Sequence, residues 1–227
     1  MFNLMKDDFY KPEILNIFTD ASIKNRPNGK FSGCYGATAV VCDTIIEEMC
    51  RVNTDTTNNN SEIKGIRAGV HLALKYRCNY RTINIFSDSQ ISVFGLRDRI
   101  FNWYLKDGVL INKSKEPVKS QEVYYEIIHM ILINQLHINL YHQKGHVDNN
   151  YNSLQDAEHV FRSSNSIRYT IDLNFIRYIS AWNNYIDCTT RNMLLTYDKS
   201  MEYYDAIHYQ PFIFNKAVYK QLIGKKV

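Results

Sequence analysis

The chain has 227 residues, with 27 lysines and arginines against 23 acids, a formal charge of +4 and a pI near 8.7. That length buries a core without disulfide staples, and apolar and charged shares of 45% and 22% exclude a disordered or collagen-like chain. The small basic excess permits a polyanionic partner without requiring one.

The opening MFNLMKDDFYKPE carries acids and no long apolar run, so neither a signal peptide nor a membrane span is expected there. The first element is a short strand, Ile14 to Phe18, which ends at Thr19-Asp20. A turn-rich stretch with Asn25, Pro27, Asn28, Gly29 and Gly33 follows. Strands are then predicted from Ala37 and from Glu47, close enough to form an antiparallel meander. Ser61-Glu62 opens a helix whose apolar residues Ile63, Ile66, Val70 and Leu74 recur at three- and four-residue steps. Thr82 to Phe86 is a buried strand ending at Ser87-Asp88, and a helix follows through Leu96. Arg99 to Leu105 reads as a short helix or bend, and Asp107 to Pro117 as a polar loop. Glu122 to Asn134 is helical, a strand starts at His137, and another helix begins near Asn152.

This order is a mixed α/β pattern in which a meander precedes β-α-β crossovers. Beyond about Arg162 the pattern turns helical. Phe175, Ile179, Trp182 and Ile186 share one helical face. More helix is expected until Pro211, and Val218, Tyr219, Leu222 and Ile223 mark a last amphipathic segment before Lys225-Lys226. We read residues 1–161 as one domain and 162–227 as a helical extension of roughly sixty residues, too small for a typical domain. Its many tyrosines, Tyr178, Tyr185 and Tyr219 among them, suit packing on the first domain, with a substrate-handling or dimerising role as the alternative and any protein partner of the extension unknown. Cys34, Cys42, Cys50, Cys78 and Cys188 are odd in number and form no C-x-x-C pair. They argue for reduced thiols and a cytoplasmic setting.

The acids carry the chemistry. Asp20 and Asp88 follow strand ends, where open α/β sheets place their sites. Glu62 lies near the start of the helix between them, and Asp156 near the start of a later one. Taken singly, each reads equally well as a helix cap or a solvated charge. Brought together they would repel, by on the order of 4 kcal/mol for a pair about 4 Å apart at an effective dielectric near 20, and would require cations. Oxygen-only ligands select Mg²⁺ or Mn²⁺ over zinc.

From about Ile14 to Phe161 the chain resembles type 1 ribonuclease H. It reads FTDAS at Asp20, TTNNNSE from Thr56 to Glu62, SDSQ from Ser87 to Gln90, and KGH from Lys144 to His146, with Asp156 ten residues after His146. Asn102-Trp103 and Glu116 to Lys119 are similar to the stretch around the family's basic protrusion. The resemblance implies a ribonuclease H-like fold, a mixed five-stranded sheet flanked by helices, with the C-terminal helical extension added. It implies an endonuclease that cuts the RNA strand of RNA–DNA hybrids with two divalent ions, Mg²⁺ or Mn²⁺, leaving 5′-phosphate and 3′-hydroxyl ends. The implied metal ligands are Asp20, Glu62, Asp88 and Asp156, with His146 on a loop assisting release. No small-molecule cofactor or membrane partner is implied. Thr57 would contact a phosphate of the DNA strand. Asn58, Asn59 and Gln90 would touch the RNA strand, and Trp103 could stack on nucleic acid. Asp55 and Ser120 stand where the family often has arginine and asparagine, which weakens the expected phosphate pocket. Two other readings remain: a nucleic-acid-binding protein that keeps the fold without the chemistry, and a nuclease of the same fold with another substrate.

Overall fold

In the computed structural model, residues 8–25, 31–54, 56–196 and 214–224 are described. Three strands come first: β1 (Ile14–Asn25), β2 (Phe31–Val41) and β3 (Thr44–Thr54). Then follow α1 (Asn58–Tyr76), β4 (Thr82–Ser87), α2 (Gln90–Arg97) and a 3-10 turn (Arg99–Asn102). The chain continues through β5 (Tyr104–Lys106), β6 (Val109–Ile111), α3 (Gln121–Ile133) and β7 (Asn139–His142). Three helices close it: α4 (Tyr151–Ser164), α5 (Leu173–Leu195) and α6 (Lys216–Leu222). The main sheet has five strands in the order β3-β2-β1-β4-β7. Its first three strands are antiparallel neighbours. β4 runs parallel to β1, and β7 parallel to β4. This is the mixed sheet flanked by helices that the sequence predicts.

Three expectations are corrected. The first strand does not stop at Phe18, because its ladder with β2 continues from Asn16↔Val40 to Asn25↔Phe31. Asp20 therefore sits within β1, opposite Gly36. Gly33, read as a turn residue, lies inside β2, where a side chain would collide with Ser61 Oγ. The polar loop after Leu105 also contains a hairpin of β5 and β6. Its turn is Asp107-Gly108, with φ of 50° and 78°, the conformation that a two-residue hairpin of the I′ kind needs. Pro27, Asn28, Gly29, Asp55, Pro211 and the terminal lysines lie outside the described residues.

Alternation along β1 sorts its side chains to two faces. Leu15 and Ile17 belong to a core shared with α1, α3 and α6. Phe18 belongs to a second core with Phe86, Phe161, Phe175, Ile179 and Ile186, built largely by α4 and α5. The face read from Phe175, Ile179, Trp182 and Ile186 is thus the one laid on the sheet. The phenyl rings of Phe18 and Phe86 stack at 5.0 Å, and Trp182 stacks on Phe18 at 6.1 Å.

The parallel part of the sheet also carries a polar ladder. Asn84 Nδ2 donates to Asn16 Oδ1 at 2.9 Å, and Asn139 Nδ2 donates to Asn84 Oδ1 at 3.0 Å. Asn16 Nδ2 donates onward to the Phe9 carbonyl at 2.8 Å. Buried amides need such partners, and these three fix the mutual register of β1, β4 and β7. At the far edge, the Ile138 amide donates to the Leu222 carbonyl at 2.8 Å, so α6 is tied to the entry of β7. No helix among the described residues is long and apolar enough to cross a membrane.

Candidate metal centre

Register sets the first pair of acids. Thr19 of β1 lies beside Ser87 of β4, so Asp20 and Asp88, each one residue further on, are neighbours at the carboxyl end of the parallel strands. Glu62 reaches them because α1 lies very close to the sheet. A Cβ at Gly65 would stand 3.0 Å from the Asp20 carbonyl oxygen, a contact that only glycine makes comfortable. The helix starts cleanly, with Thr57 Oγ1 accepting from the Asn60 amide at 3.2 Å, an N-cap arrangement. α2 begins the same way, with Ser89 as its cap.

One oxygen from each of Asp20, Glu62 and Asp88 lies within 4.8 Å of the others. Burial, then the charge of Asp88, pushes the Asp20 carboxyl up to about 8. Burial, then Asp88 and Asp20, pushes Glu62 up to about 9. Asp88 is raised by burial too, against the opposing effects of the Asn183 amide and His146. Glu62 Oε2 is buried with no hydrogen-bond partner among the described residues. Such a set is poorly satisfied by the protein alone. Its all-oxygen chemistry fits a hard divalent cation such as Mg²⁺ or Mn²⁺.

The other predicted residues are placed differently. Asp156, near the start of α4, does not join the three acids. Its side chain is 55% exposed and pairs with Lys144. His146 is exposed on the loop before α4, with a φ of 52°. Thr57, Asn58 and Asn59 are exposed at the start of α1, and Gln90 is exposed at the start of α2. All four lie at two helix N-termini, which favour anions, on the helix that carries Glu62 and on the one that follows Asp88. Trp103 is a correction. It is buried, meets Tyr124 edge-on at 5.0 Å, and its carbonyl accepts from Lys216 Nζ at 3.1 Å. It holds α6 and α3 together and presents no free ring to stack on. Ser120 adopts a left-handed backbone with φ 54°, and its Oγ accepts from Asn60 Nδ2 at 2.9 Å, tying the start of α3 to the start of α1.

The family model described as RNase H matches residues 12–160 of this chain. The chain belongs to the ribonuclease H family. It is 32% identical over 144 residues to a ribonuclease H of Caldanaerobacter subterraneus subsp. tengcongensis, covering 63% of this chain and 87% of that one. It is 29% identical over 142 residues to a ribonuclease H of Chlorobaculum parvum, covering 63% of this chain and 90% of that one. Among solved structures, it is similar to the PFV RNase H domain in solution, with a TM-score of 0.50 at 16% identity, covering 71% of this chain and 98% of that one. That likeness is one of fold.

This member of the ribonuclease H family carries further residues at the acidic cluster that the sequence did not single out. All lie on α5, beyond the residues matched to the family. Asn183 lies close enough to Asp88 to favour its charged form and accepts from Gln143 Nε2 at 2.6 Å. Asp187 is largely buried and pairs with Arg191 Nη2 at 2.5 Å. Thr190 Oγ1 lies 3.1 Å from Ser22 Oγ. The available signal was the border of the apolar face: Asn183 and Asp187 directly follow Trp182 and Ile186. Gly145 matters for a steric reason, since a Cβ there would collide with Asp88 Oδ2.

Proposed function

We propose that this chain hydrolyses the RNA strand of RNA–DNA hybrids with two divalent ions, Mg²⁺ or Mn²⁺, leaving 5′-phosphate and 3′-hydroxyl ends. The observation that carries the reading is the cluster of Asp20, Glu62 and Asp88 where the parallel pairing of β1 and β4 ends, in a ribonuclease H-family domain. Bound ions would supply a Lewis acid for the scissile phosphate and lower the pKa of an attacking water.

The chain's own residues have distinct parts. Asp20, Glu62 and Asp88 would hold the ions, whose charge would offset the burial that raises all three carboxyls. Asn183 would keep Asp88 turned toward the site. Thr57 would meet a phosphate of the DNA strand. Asn58, Asn59 and Gln90 have exposed amides, suited to base edges and 2′-hydroxyls, the group that distinguishes RNA from DNA. His146, exposed at the rim, would assist release of product, so its loss should slow turnover rather than abolish it.

The test compares an RNA–DNA hybrid, duplex DNA, duplex RNA and a four-way junction, each with Mn²⁺ or Mg²⁺. Cleavage confined to the RNA of the hybrid is expected. Preferential cleavage of the junction or of duplex DNA would contradict the reading.

A further inference from the structure

The register of the parallel strands sets an amide beside the acids. Phe18 of β1 pairs with Phe86 of β4, and Phe86 with Tyr141 of β7. Their rings form one row, Phe18 stacking on Phe86 at 5.0 Å and Phe86 on Tyr141 at 5.3 Å, on the face that α5 covers. Side chains two residues further on return to the same face of a strand. The next row on that face is therefore Asp20, Asp88 and Gln143, the last two each one residue past the end of its strand. Gln143 is held in this row through its backbone, its amide donating to the Ser87 carbonyl at 3.0 Å. Its side chain is buried.

Helix α5 meets this polar row with a polar residue of its own. Phe175, Ile179, Asn183 and Ile186 are all buried and recur at three- and four-residue steps, one face of the helix. Asn183 follows Trp182, the residue that stacks on Phe18, and it is only 2% exposed. Its Oδ1 accepts from Gln143 Nε2 at 2.6 Å. With the oxygen engaged there, the other end of the amide offers two N–H donors. Donors are what a carboxylate needs, and the reverse orientation would set the Asn183 carbonyl against Asp88. Asn183 accordingly favours the charged form of Asp88.

We propose that Gln143 and Asn183 are paired positioning residues of the metal centre: Gln143 fixes which end of the Asn183 amide faces the acids, and Asn183 turns its donors on Asp88. The proposal rests on the reading of Asp20, Glu62 and Asp88 as a divalent-metal site, and it names what holds one of those ligands in place. A carboxylate that accepts a hydrogen bond on its far side keeps its remaining lone pairs aimed at the ion. Asn183 lies beyond residues 12–160, the stretch matched to the family, so the helical extension supplies part of the centre. In the simpler account the two amides only fasten α5 to the end of β7. That link leaves Gln143 Oε1 buried with no partner among the described residues, a cost that apolar residues of the same size would avoid. The simpler account predicts a loss of stability with no effect on metal.

Calorimetric titration of Mn²⁺ into the metal-stripped full chain separates the two, with circular dichroism to confirm that each variant is folded. Asn183→Leu keeps the volume and removes the donors, and Gln143→Met does the same one step further out. Asn183→Leu is expected to weaken Mn²⁺ binding by about 10- to 100-fold, the scale set by residues that support a metal ligand. Gln143→Met is expected to weaken it by a smaller factor. The double variant should bind no more weakly than Asn183→Leu alone, because Gln143 acts through Asn183. Phe175→Leu, which loosens the same helix away from the acids, should melt earlier and bind Mn²⁺ like the wild type. Wild-type affinity in either amide variant, additive losses in the double variant, or an equal loss in Phe175→Leu would overturn the proposal. If Asn183→Leu fails to fold, Gln143→Met decides alone, and unchanged binding overturns the proposal. A wild type that binds no Mn²⁺ would instead remove the metal site on which the proposal rests. Hybrid cleavage by the same wild-type sample keeps the substrate reading apart: Mn²⁺ binding that depends on the amides, without cleavage, would sink the hybrid substrate and leave the positioning pair standing.

Discussion

At the scale of single residues, the centre is a set of acids held in conditions they tolerate badly. Asp20 and Glu62 are pushed up to about 8 and about 9, against ordinary values near 4. Without metal they stay protonated in the fold while the unfolded chain ionises them. Between about pH 4 and about pH 9 the unfolded state then binds fewer protons, so stability falls as pH rises through that window. Thermal melts of metal-stripped protein across that window should show a declining midpoint, and Mn²⁺ should restore most of the loss at the upper end. A midpoint rising with pH in stripped protein would contradict the burial described for these acids. Gly145 gives a second prediction. In Gly145→Ala the new methyl would displace the Asp88 carboxylate, so Mn²⁺ affinity should fall by about 10- to 100-fold with an unchanged circular dichroism spectrum. Calorimetry of that variant checks it. Three of the four acids expected from the sequence converge; the end of β4 before Asp88 and the helix start before Glu62 were local signals, while Asp20 joins them although β1 runs on past it. The influence of Asn183 and Asp187 on these acids was not legible: both lie far along the chain, and only the packing of α5 on the sheet brings them near.

At the scale of elements, the sheet was readable where alternation and β-branched residues were strong, as in β1 and β4. The β5-β6 hairpin was missed although Asp107-Gly108 signals one, because three-residue strands are too short for alternation to register. The asparagine ladder was equally invisible, since its partners are set by register across three strands. Its energetics are testable. Asn84→Ala would leave Asn16 Oδ1 and Asn139 Nδ2 without their present partners, at a cost of about 2–3 kcal/mol for buried unpaired groups. Urea unfolding of the variant measures this, and a change under about 0.5 kcal/mol would mean the ladder is not a register device. α6 offers a contrast on one side chain. Tyr219 is fully buried, and its hydroxyl has no partner among the described residues. Tyr219→Ala should cost about 3–5 kcal/mol, as large aromatic truncations do. Tyr219→Phe should be neutral or stabilising, since it removes an unsatisfied polar atom.

At the scale of the whole molecule, α5 is a layer of the structure. It covers the face of the sheet opposite α1 and completes the core around Phe18, Phe86 and Phe161. The sequence shows an amphipathic helix there but does not say what its apolar face covers, because a helical period alone is compatible with a separate subdomain. Ending the chain after Phe161 would uncover Phe18, Phe86 and Val40 together. The shortened protein is expected to aggregate, or to melt about 10 °C or more lower, as the loss of several large buried side chains implies. A soluble monomer with the wild-type melting temperature would show that α5 is dispensable. The same helix brings Asn183 and Asp187 near enough to influence the acidic cluster, so fold and site share it.

The central claim is tested most directly by cleavage of an end-labelled RNA–DNA hybrid by the wild type and by Asp88→Asn, with Mg²⁺, with Mn²⁺ and with EDTA. The account predicts cutting of the RNA strand alone, supported by either metal, stopped by EDTA, and reduced in Asp88→Asn by more than about 100-fold, beyond what loss of a ligand's support costs. A folded wild type that leaves the hybrid intact with both metals, or an Asp88→Asn protein that cuts as fast as the wild type, would contradict it.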